Sequence, residues 1–377
     1  MATVNERQAQ DTALENYFRE GEVRARNLAN RGPIRLTAQG KLAPEILDSY
    51  KEHGFYILEH VFDDSELAEI KAEFEGIVDR LPTSPDSLID KHGRPALGLG
   101  LPQSPFRWSK PLGDPMGGAG GLKRAPVKMI EGEPAAEQPQ QVVFIVRGPL
   151  QFSDAALRAY AHPGLMAVCE AINGDDFVPF SDGFVIKQPG AGAAFAWHQD
   201  GVTHWDHPEW DPEMQGFNFM IQLYGSTPAN GVWFVPGSHK LGKIDIHEVV
   251  SAAGGNLLPD AVPFVCNPGD VAISNRQILH GSFANTSSDL RVSLNFGFHR
   301  RKSVLGVRSK SVEEVFDAER VCKRAEMIGY AIDARRQRFP AEVPFAYKPH
   351  IQNGEVYHWN EAARGEINAY YLRDLNI

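Results

Sequence analysis

The apolar positions change period along the chain, and the change divides it. From about Ala43 the pattern is helical and then extended. A short helical stretch, Pro44–His53, runs into Gly54 and the apolar strand Phe55–Leu58. Asp63, Asp64 and Ser65 offer N-caps for a second helix, whose Leu67, Ile70, Phe74, Ile77 and Val78 recur at spacings of 3, 4, 3 and 1. That recurrence lays one apolar stripe along a helix ending near Arg80.

Between 142 and 300 the period shortens. Strand Val142–Val146 is followed by a helical pair over Asp154–Ile172, capped by Ser153 and interrupted at His162–Pro163. Strand signals then crowd together at Phe177–Phe180, Gly183–Lys187, Phe217–Tyr224, Gly231–Val235, Val262–Val265, Val271–Ser274 and Arg291–Phe298. Turn pairs such as Pro189-Gly190, Pro236-Gly237 and Pro268-Gly269-Asp270 separate them. An unbroken series of short strands predicts a β-sandwich or jelly roll with flanking helices rather than a βαβ sheet. After Arg301 helical spacing returns. Ser311-Val312-Glu313-Glu314 fits a capping box, Val315, Cys322, Ala325, Ile328 and Ile332 form a stripe, and Pro340 ends it.

Two regions lack periodicity. Residues 1–42 are polar and predict an arm with some helix. Residues 82–141 are dense in proline and glycine yet carry Phe106, Trp108 and Met116, which a pure linker lacks. A loop this long inside a compact domain is an active-site lid or a passive surface segment. The predicted organisation is an arm (1–42), a jelly-roll domain (43–300) containing the 82–141 insertion, and a helical extension packed on the core (301–377).

Composition narrows the function. Hydrophobic residues at 42% and charged residues at 23% suit a globular protein. Forty-eight acidic against 38 basic side chains give a net charge of −10, which argues against a nucleic-acid partner. Cys169, Cys266 and Cys322 are far apart and form no CxxC pair, so a disulfide framework is not expected. Met1–Thr12 has no apolar stretch of the secretory kind, and the apolar runs are far short of the ~20 residues that span a membrane. The expectation is a cytoplasmic monomer or homodimer acting on a small molecule.

The chemistry centres on Trp197-His198-Gln199-Asp200-Gly201. In an extended segment residues i and i+2 point to one side, so His198 and Asp200 present an imidazole and a carboxylate to one point. An HxD pair alone is as easily a surface histidine beside an acid. His280, after the Pro268–Asp270 turn and the next strand, is the natural third ligand. Together the three make a two-histidine, one-carboxylate face of the kind found in non-haem Fe(II) oxygenases. Arg291 and Ser293 share a strand face and suit a carboxylate, because guanidinium pairs with it bidentately; read alone, Arg291 is equally a surface ion pair.

The order of these motifs resembles the phytanoyl-CoA dioxygenase family of Fe(II)/2-oxoglutarate oxygenases. The resemblance lies in Lys187–Pro189, Trp197–Gly201, Asn230–Lys240, Pro268–Asp270, His280-Gly281-Ser282 and Arg291-Val292-Ser293, and spans about 43–300 without most of the insertion. It implies a double-stranded β-helix (jelly-roll, cupin-like) core and iron on His198, Asp200 and His280. It implies 2-oxoglutarate anchored by Arg291 with Ser282 or Ser293, and O2 as oxidant. Some relatives carry a cosubstrate-contacting tryptophan near the start of strand 217–224. Here one face of that strand reads Asn218, Met220, Gln222 and Tyr224, and Gln222 is the expected replacement. His204 and Trp205 after the metal pair, and Trp108 in the insertion, are candidates for the substrate pocket. Halogenating relatives have a small residue in place of Asp200, so the implied reaction is hydroxylation of an unactivated C–H bond, with 2-oxoglutarate converted to succinate and CO2. Desaturation, cyclisation or epimerisation shares the same chemistry. Rival readings are a non-catalytic jelly-roll binding protein and a cupin-like enzyme using another metal.

Overall fold

The structure, a computed structural model, describes residues 4–118, 127–200, 216–308 and 315–370, with side chains from residue 12 onward. Among these residues two β-sheets face each other. The larger contains β1 (Arg31–Pro33), β2 (Phe55–Glu59), β3 (Phe106–Ser109), β4 (Val142–Arg147), β5 (Val178–Lys187), β7 (Gly216–Gln222), β10 (Val271–Asn275) and β12 (Arg291–His299). Its order is β1-β2-β10-β7-β12-β5-β4-β3. The smaller is β6-β11-β8-β9, built from β6 (Phe195–His198), β8 (Trp233–Phe234), β9 (Val262–Pro263) and β11 (His280–Ser282). Every strand pair is antiparallel except β1–β2. Strands adjacent in space but distant in sequence, split between two sheets, make the double-stranded β-helix.

Alternation along the central strand explains the layering. Val292, Leu294, Phe296 and Phe298 of β12 enter the main core. There they meet Leu67, Ile70, Phe74 and Ile77 of a helix at Asp64–Asp79, and Leu157, Tyr160 and Leu165 of the helical pair Asp154–Tyr160 and Pro163–Asn173. Arg291, Ser293 and Asn295 turn the other way, toward the small sheet. Asp63 caps the first of these helices, accepting from the Glu66 N–H at 2.8 Å, and Ser153 caps the second through the Ala156 N–H at 2.9 Å.

Several elements differ from the pattern-based expectation. The signals at 177–180 and 183–187 belong to one strand, β5, whose register with β12 runs on through Asp182 and Gly183. Asp182 reads as a turn residue in sequence. It stays inside a buried strand because Arg324 pairs with it at 3.2 Å and the Tyr370 hydroxyl donates to it. Strands β8 and β9 are two residues each, shorter than the apolar runs that signalled them. The 82–141 segment is not wholly irregular: Phe106–Ser109 extends the large sheet against β4.

The ends of the chain also pack. In the N-terminal helix Val4–Asn27, Tyr17 stacks on Trp233 of the small sheet at 4.5 Å, and its hydroxyl donates to the Leu258 carbonyl at 2.8 Å. That arm is therefore seated on the domain. The C-terminal helix Ala318–Arg338 starts at Asp317, and the expected capping box at 311–314 lies outside the described residues. Its Arg335 joins Glu66 at 2.6 Å and Glu342 at 2.5 Å. No helix among the described residues is long and apolar enough to cross a membrane.

Candidate metal and cosubstrate site

Strand pairing builds the site. His198 ends β6 and His280 begins β11, and the two are direct partners in the ladder. Their rings lie 4.1 Å apart between centroids. Gly281 permits this closeness: a Cβ there would meet the Phe195 carbonyl at 3.1 Å and the Trp197 ring at 3.2 Å. Asp200 follows two residues after His198, its N–H donating to the Arg276 carbonyl at 2.8 Å. One ligand atom from each of His198, Asp200 and His280 lies within 4.8 Å of the others.

Surrounding groups aim these ligands. Nδ1 of His198 is 2.7 Å from the Ala196 carbonyl, and Nδ1 of His280 is 2.9 Å from the Ile278 carbonyl. A carbonyl only accepts, so both Nδ1 atoms carry the proton and each Nε2 keeps a lone pair for a metal. His198 Nε2 stands 3.9 Å from Asp200 Oδ1. The other Asp200 oxygen accepts from Asn218 Nδ2 at 3.2 Å. Gln199, between the two ligands, points away: its amide donates to the Gln277 and Gly242 carbonyls at 2.7 and 3.0 Å and accepts from the Ile244 N–H at 2.9 Å. This fixes the segment and keeps residues 198 and 200 on one side. The Pro236–His239 turn contributes from below, since Ser238 Oγ accepts the Leu279 N–H at 2.8 Å. A donor set of two imidazoles and one carboxylate fits a divalent first-row metal with open positions.

The pocket above the three ligands encloses about 880 Å3 including its mouth. Arg291 lines it from β12 and is otherwise buried. Its Nε donates to Gln222 Oε1 at 3.3 Å, while Nη2 is buried with no hydrogen-bond partner among the described residues. Burial pulls this guanidinium down to about 10, still cationic at neutral pH. Beside it in the β5–β12 register sits Lys187, whose ammonium donates to the Phe283 carbonyl. Burial, and then the charge of Arg291, push Lys187 well below the usual lysine range. A buried guanidinium with an open donor among the described residues suits an anion, and Lys187 beside it is held toward its neutral form.

The expected site residues divide. Ser282 lines the pocket with the metal ligands and Arg291. Ser293 is buried, its Oγ unpartnered, but it is not part of the lining. Gln222 is not part of the lining either; it braces Arg291 from behind, and Met220, two residues earlier, occupies the wall. The inward face of β7 does carry site residues, but they are Asn218 and Met220. Trp108 is displaced from the pocket by the bulge between Arg107 and Trp108. It lies in an adjacent outer groove with Lys110, Pro115 and Phe144. His204 and Trp205 lie outside the described residues.

Arg107, Arg147 and Asp114 were not singled out by the sequence. Both arginines line the pocket from the β3–β4 hairpin. Asp114 sits in the insertion, where its carboxylate accepts from the N–H groups of Met116, Gly117, Met129 and Ala196 at 3.0, 3.0, 2.8 and 3.4 Å. It therefore ties Met116, a lining residue, to metal strand β6. An aspartate followed by Pro115 and two glycines is the only hint of such a knot in the sequence.

Residues 128–293 match the model of the phytanoyl-CoA dioxygenase (PhyH) family. Dioxygenase lolE1 of Epichloe uncinata is 29% identical over 153 residues, covering 38% of this chain and 55% of that protein. Phytanoyl-CoA dioxygenase 1 of Oryza sativa subsp. japonica is 31% identical over 121 residues, covering 30% and 41%. L-proline trans-4-hydroxylase of Streptomyces griseoviridis is 26% identical over 192 residues, covering 45% and 71%. The chain spans about half the length of the first two relatives. The double-stranded β-helix carries two histidines and a carboxylate that could hold a metal ion at its mouth. The match to the family model takes in less than half of the chain, and over it the chain is similar to the phytanoyl-CoA dioxygenase family.

Proposed function

We propose that this protein is an Fe(II)/2-oxoglutarate-dependent dioxygenase that hydroxylates an unactivated C–H bond of a small organic molecule, releasing succinate and CO2. One observation carries the reading: three ligand atoms of the right types gather in one pocket with a buried arginine whose Nη2 has no hydrogen-bond partner among the described residues. His198, Asp200 and His280 would hold the iron, and Arg291 with Ser282 the distal carboxylate of 2-oxoglutarate. When bound, iron and 2-oxoglutarate supply the oxygen-activating chemistry that removes hydrogen from the substrate.

The chain supplies geometry. Asn218 holds Asp200 in place, and the Nδ1–carbonyl bonds hold both imidazoles in the ligating tautomer. Gln222 fixes the guanidinium of Arg291 so that its open edge faces the pocket. Ile145, Val185 and Met220 line an apolar wall that keeps bulk water from the reacting carbon. Asp200 favours oxygenation over halogenation, because a carboxylate takes the coordination position a halide needs. The complete ligand set together with Arg291 disfavours a non-catalytic binding role.

Anaerobic addition of Fe(II) and then 2-oxoglutarate should give the weak visible charge-transfer band of chelation, and O2 should then release succinate in the presence of substrate. No band and no succinate would refute the reading. Product analysis separates hydroxylation from desaturation, cyclisation or epimerisation.

A further inference from the structure

The charges around the pocket are unbalanced. Among the described residues its lining contains three arginines, Arg107, Arg147 and Arg291, against one carboxylate, Asp200. This stands out in a chain of net charge −10. The bound groups proposed above do not correct it, because a ferrous dication and a 2-oxoglutarate dianion cancel. Among the described residues Arg107 is then left as positive charge that iron and cosubstrate do not use, in a site where low dielectric makes it count.

Arg107 is the residue most exposed to that argument. It stands on β3 opposite Ile145, beside the bulge. Its Nε is buried and has no hydrogen-bond partner among the described residues, and no ion pair is formed by its side chain there. It lines both the iron pocket and the outer groove, so it stands where the two meet. Arg147, two residues along β4 from Ile145, lines the same wall but has an interaction of its own. Met116, Ile145, Val185, Phe195, Met220 and Val232 give the lining an apolar part, beside the polar Asn218, Ser274, Ser282 and Asn295.

We propose that the substrate is amphipathic, with an anionic head taken by Arg107 at the pocket mouth and an apolar body reaching toward the iron. The inference rests on the dioxygenase reading and specifies its substrate class. A planar guanidinium favours a carboxylate or a phosphomonoester, and binding the head at the mouth would place a carbon of the apolar body at the reacting centre.

The test uses matched sets of small compounds carrying one apolar body as the free carboxylic acid, the phosphomonoester or the methyl ester. They are applied to wild type, Arg107→Met and Arg107→Lys. Thermal shift on the Mn(II)- and 2-oxoglutarate-loaded protein reads binding, and succinate release on the iron enzyme reads turnover. Acids or phosphomonoesters should shift and turn over wild type while their methyl esters do not, and which head succeeds identifies the anion. Arg107→Met should raise the KM of the successful compound about ten- to a hundredfold, the range of a lost charged hydrogen bond, with a smaller change in kcat. Arg107→Lys should fall between, and the 2-oxoglutarate requirement should be unchanged in both. Preference for methyl esters, no response to any anionic compound, or an acid substrate whose KM ignores Arg107→Met would each overturn the proposal. Failure of wild type to bind 2-oxoglutarate with Mn(II) would instead refute the dioxygenase reading.

Discussion

His198 and His280 are direct partners across the β6–β11 ladder, each holding its Nδ1 against the main-chain carbonyl two residues earlier in the chain. The symmetry has a cause. In both cases a contact from i to i−2 holds Nδ1 and leaves Nε2 for the shared ligand cluster. Ligand geometry is thus set by backbone pairing, with rotamer freedom already spent on folding. The proposed iron chemistry depends on that pre-organisation.

Replacing either end of the HxD pair should remove metal. His198→Ala and Asp200→Ala should lose Fe(II) binding and succinate release together, with the thermal midpoint of the apo protein close to wild type. Wild-type turnover in either variant would exclude these residues as ligands. Asn218→Ala should be milder, weakening metal affinity on the order of tenfold through a less restrained Asp200.

Arg291→Ala should separate cosubstrate from metal. The 2-oxoglutarate requirement should rise by two orders of magnitude or so, while Mn(II) affinity measured without 2-oxoglutarate stays within a few-fold of wild type. Gln222→Leu should reproduce part of that effect, because it frees the guanidinium without removing it. Equal loss of metal and cosubstrate in Arg291→Ala would make the residue structural.

Asp114 should matter to the site although it touches no ligand. Asp114→Ala leaves buried N–H groups of Met116, Gly117 and Met129 unsatisfied, at about 1–3 kcal/mol for each group left without water. Chemical denaturation should show a loss on the order of several kcal/mol, and limited proteolysis should begin within 110–132. Asp114→Asn keeps one acceptor and should lose less.

His162 gives the protein a defined acid sensitivity. It breaks the helical pair, caps Pro163–Asn173 by accepting the Leu165 N–H at 3.4 Å, and packs against Phe62 at 5.3 Å. Burial, with the positive charge of Arg335, pushes its imidazole down from 6.5 to about 3. The folded state thus binds this proton less readily than the unfolded chain. The stabilising contribution is complete above pH 6.5 and is lost as the pH falls toward 3. Urea midpoints at pH 7 and pH 5 should differ less for His162→Asn, which can still cap, than for wild type. Equal differences would mean that the ring is not the titrating group.

Much of this molecule is written locally. The helix at 64–79, the break at His162, the strand at 142–147 and the HxD segment each follow from spacing, caps and alternation within a short window. The distant partners His280 and Arg291 are candidates from the turns and strands around them, and the family resemblance then joins them to His198. Other features escaped because they are made by long-range pairing. Gln222 and Met220 share one strand face, and only the position of Arg291 decides which of them meets the pocket. Trp108 turned away because of a one-residue bulge. Arg107 looked like a loop residue until β3 was seen pairing with β4. Asp182 resembled a turn because Arg324, which neutralises it, lies in the C-terminal helix.

The most direct test of the central claim is a crystal structure with Mn(II) and N-oxalylglycine, an unreactive analogue of 2-oxoglutarate. The account predicts Nε2 of His198, an Asp200 oxygen and Nε2 of His280 on the metal, with the far carboxylate of the inhibitor against the guanidinium of Arg291. A metal bound by other residues, or an inhibitor whose far carboxylate lies away from Arg291, would contradict it.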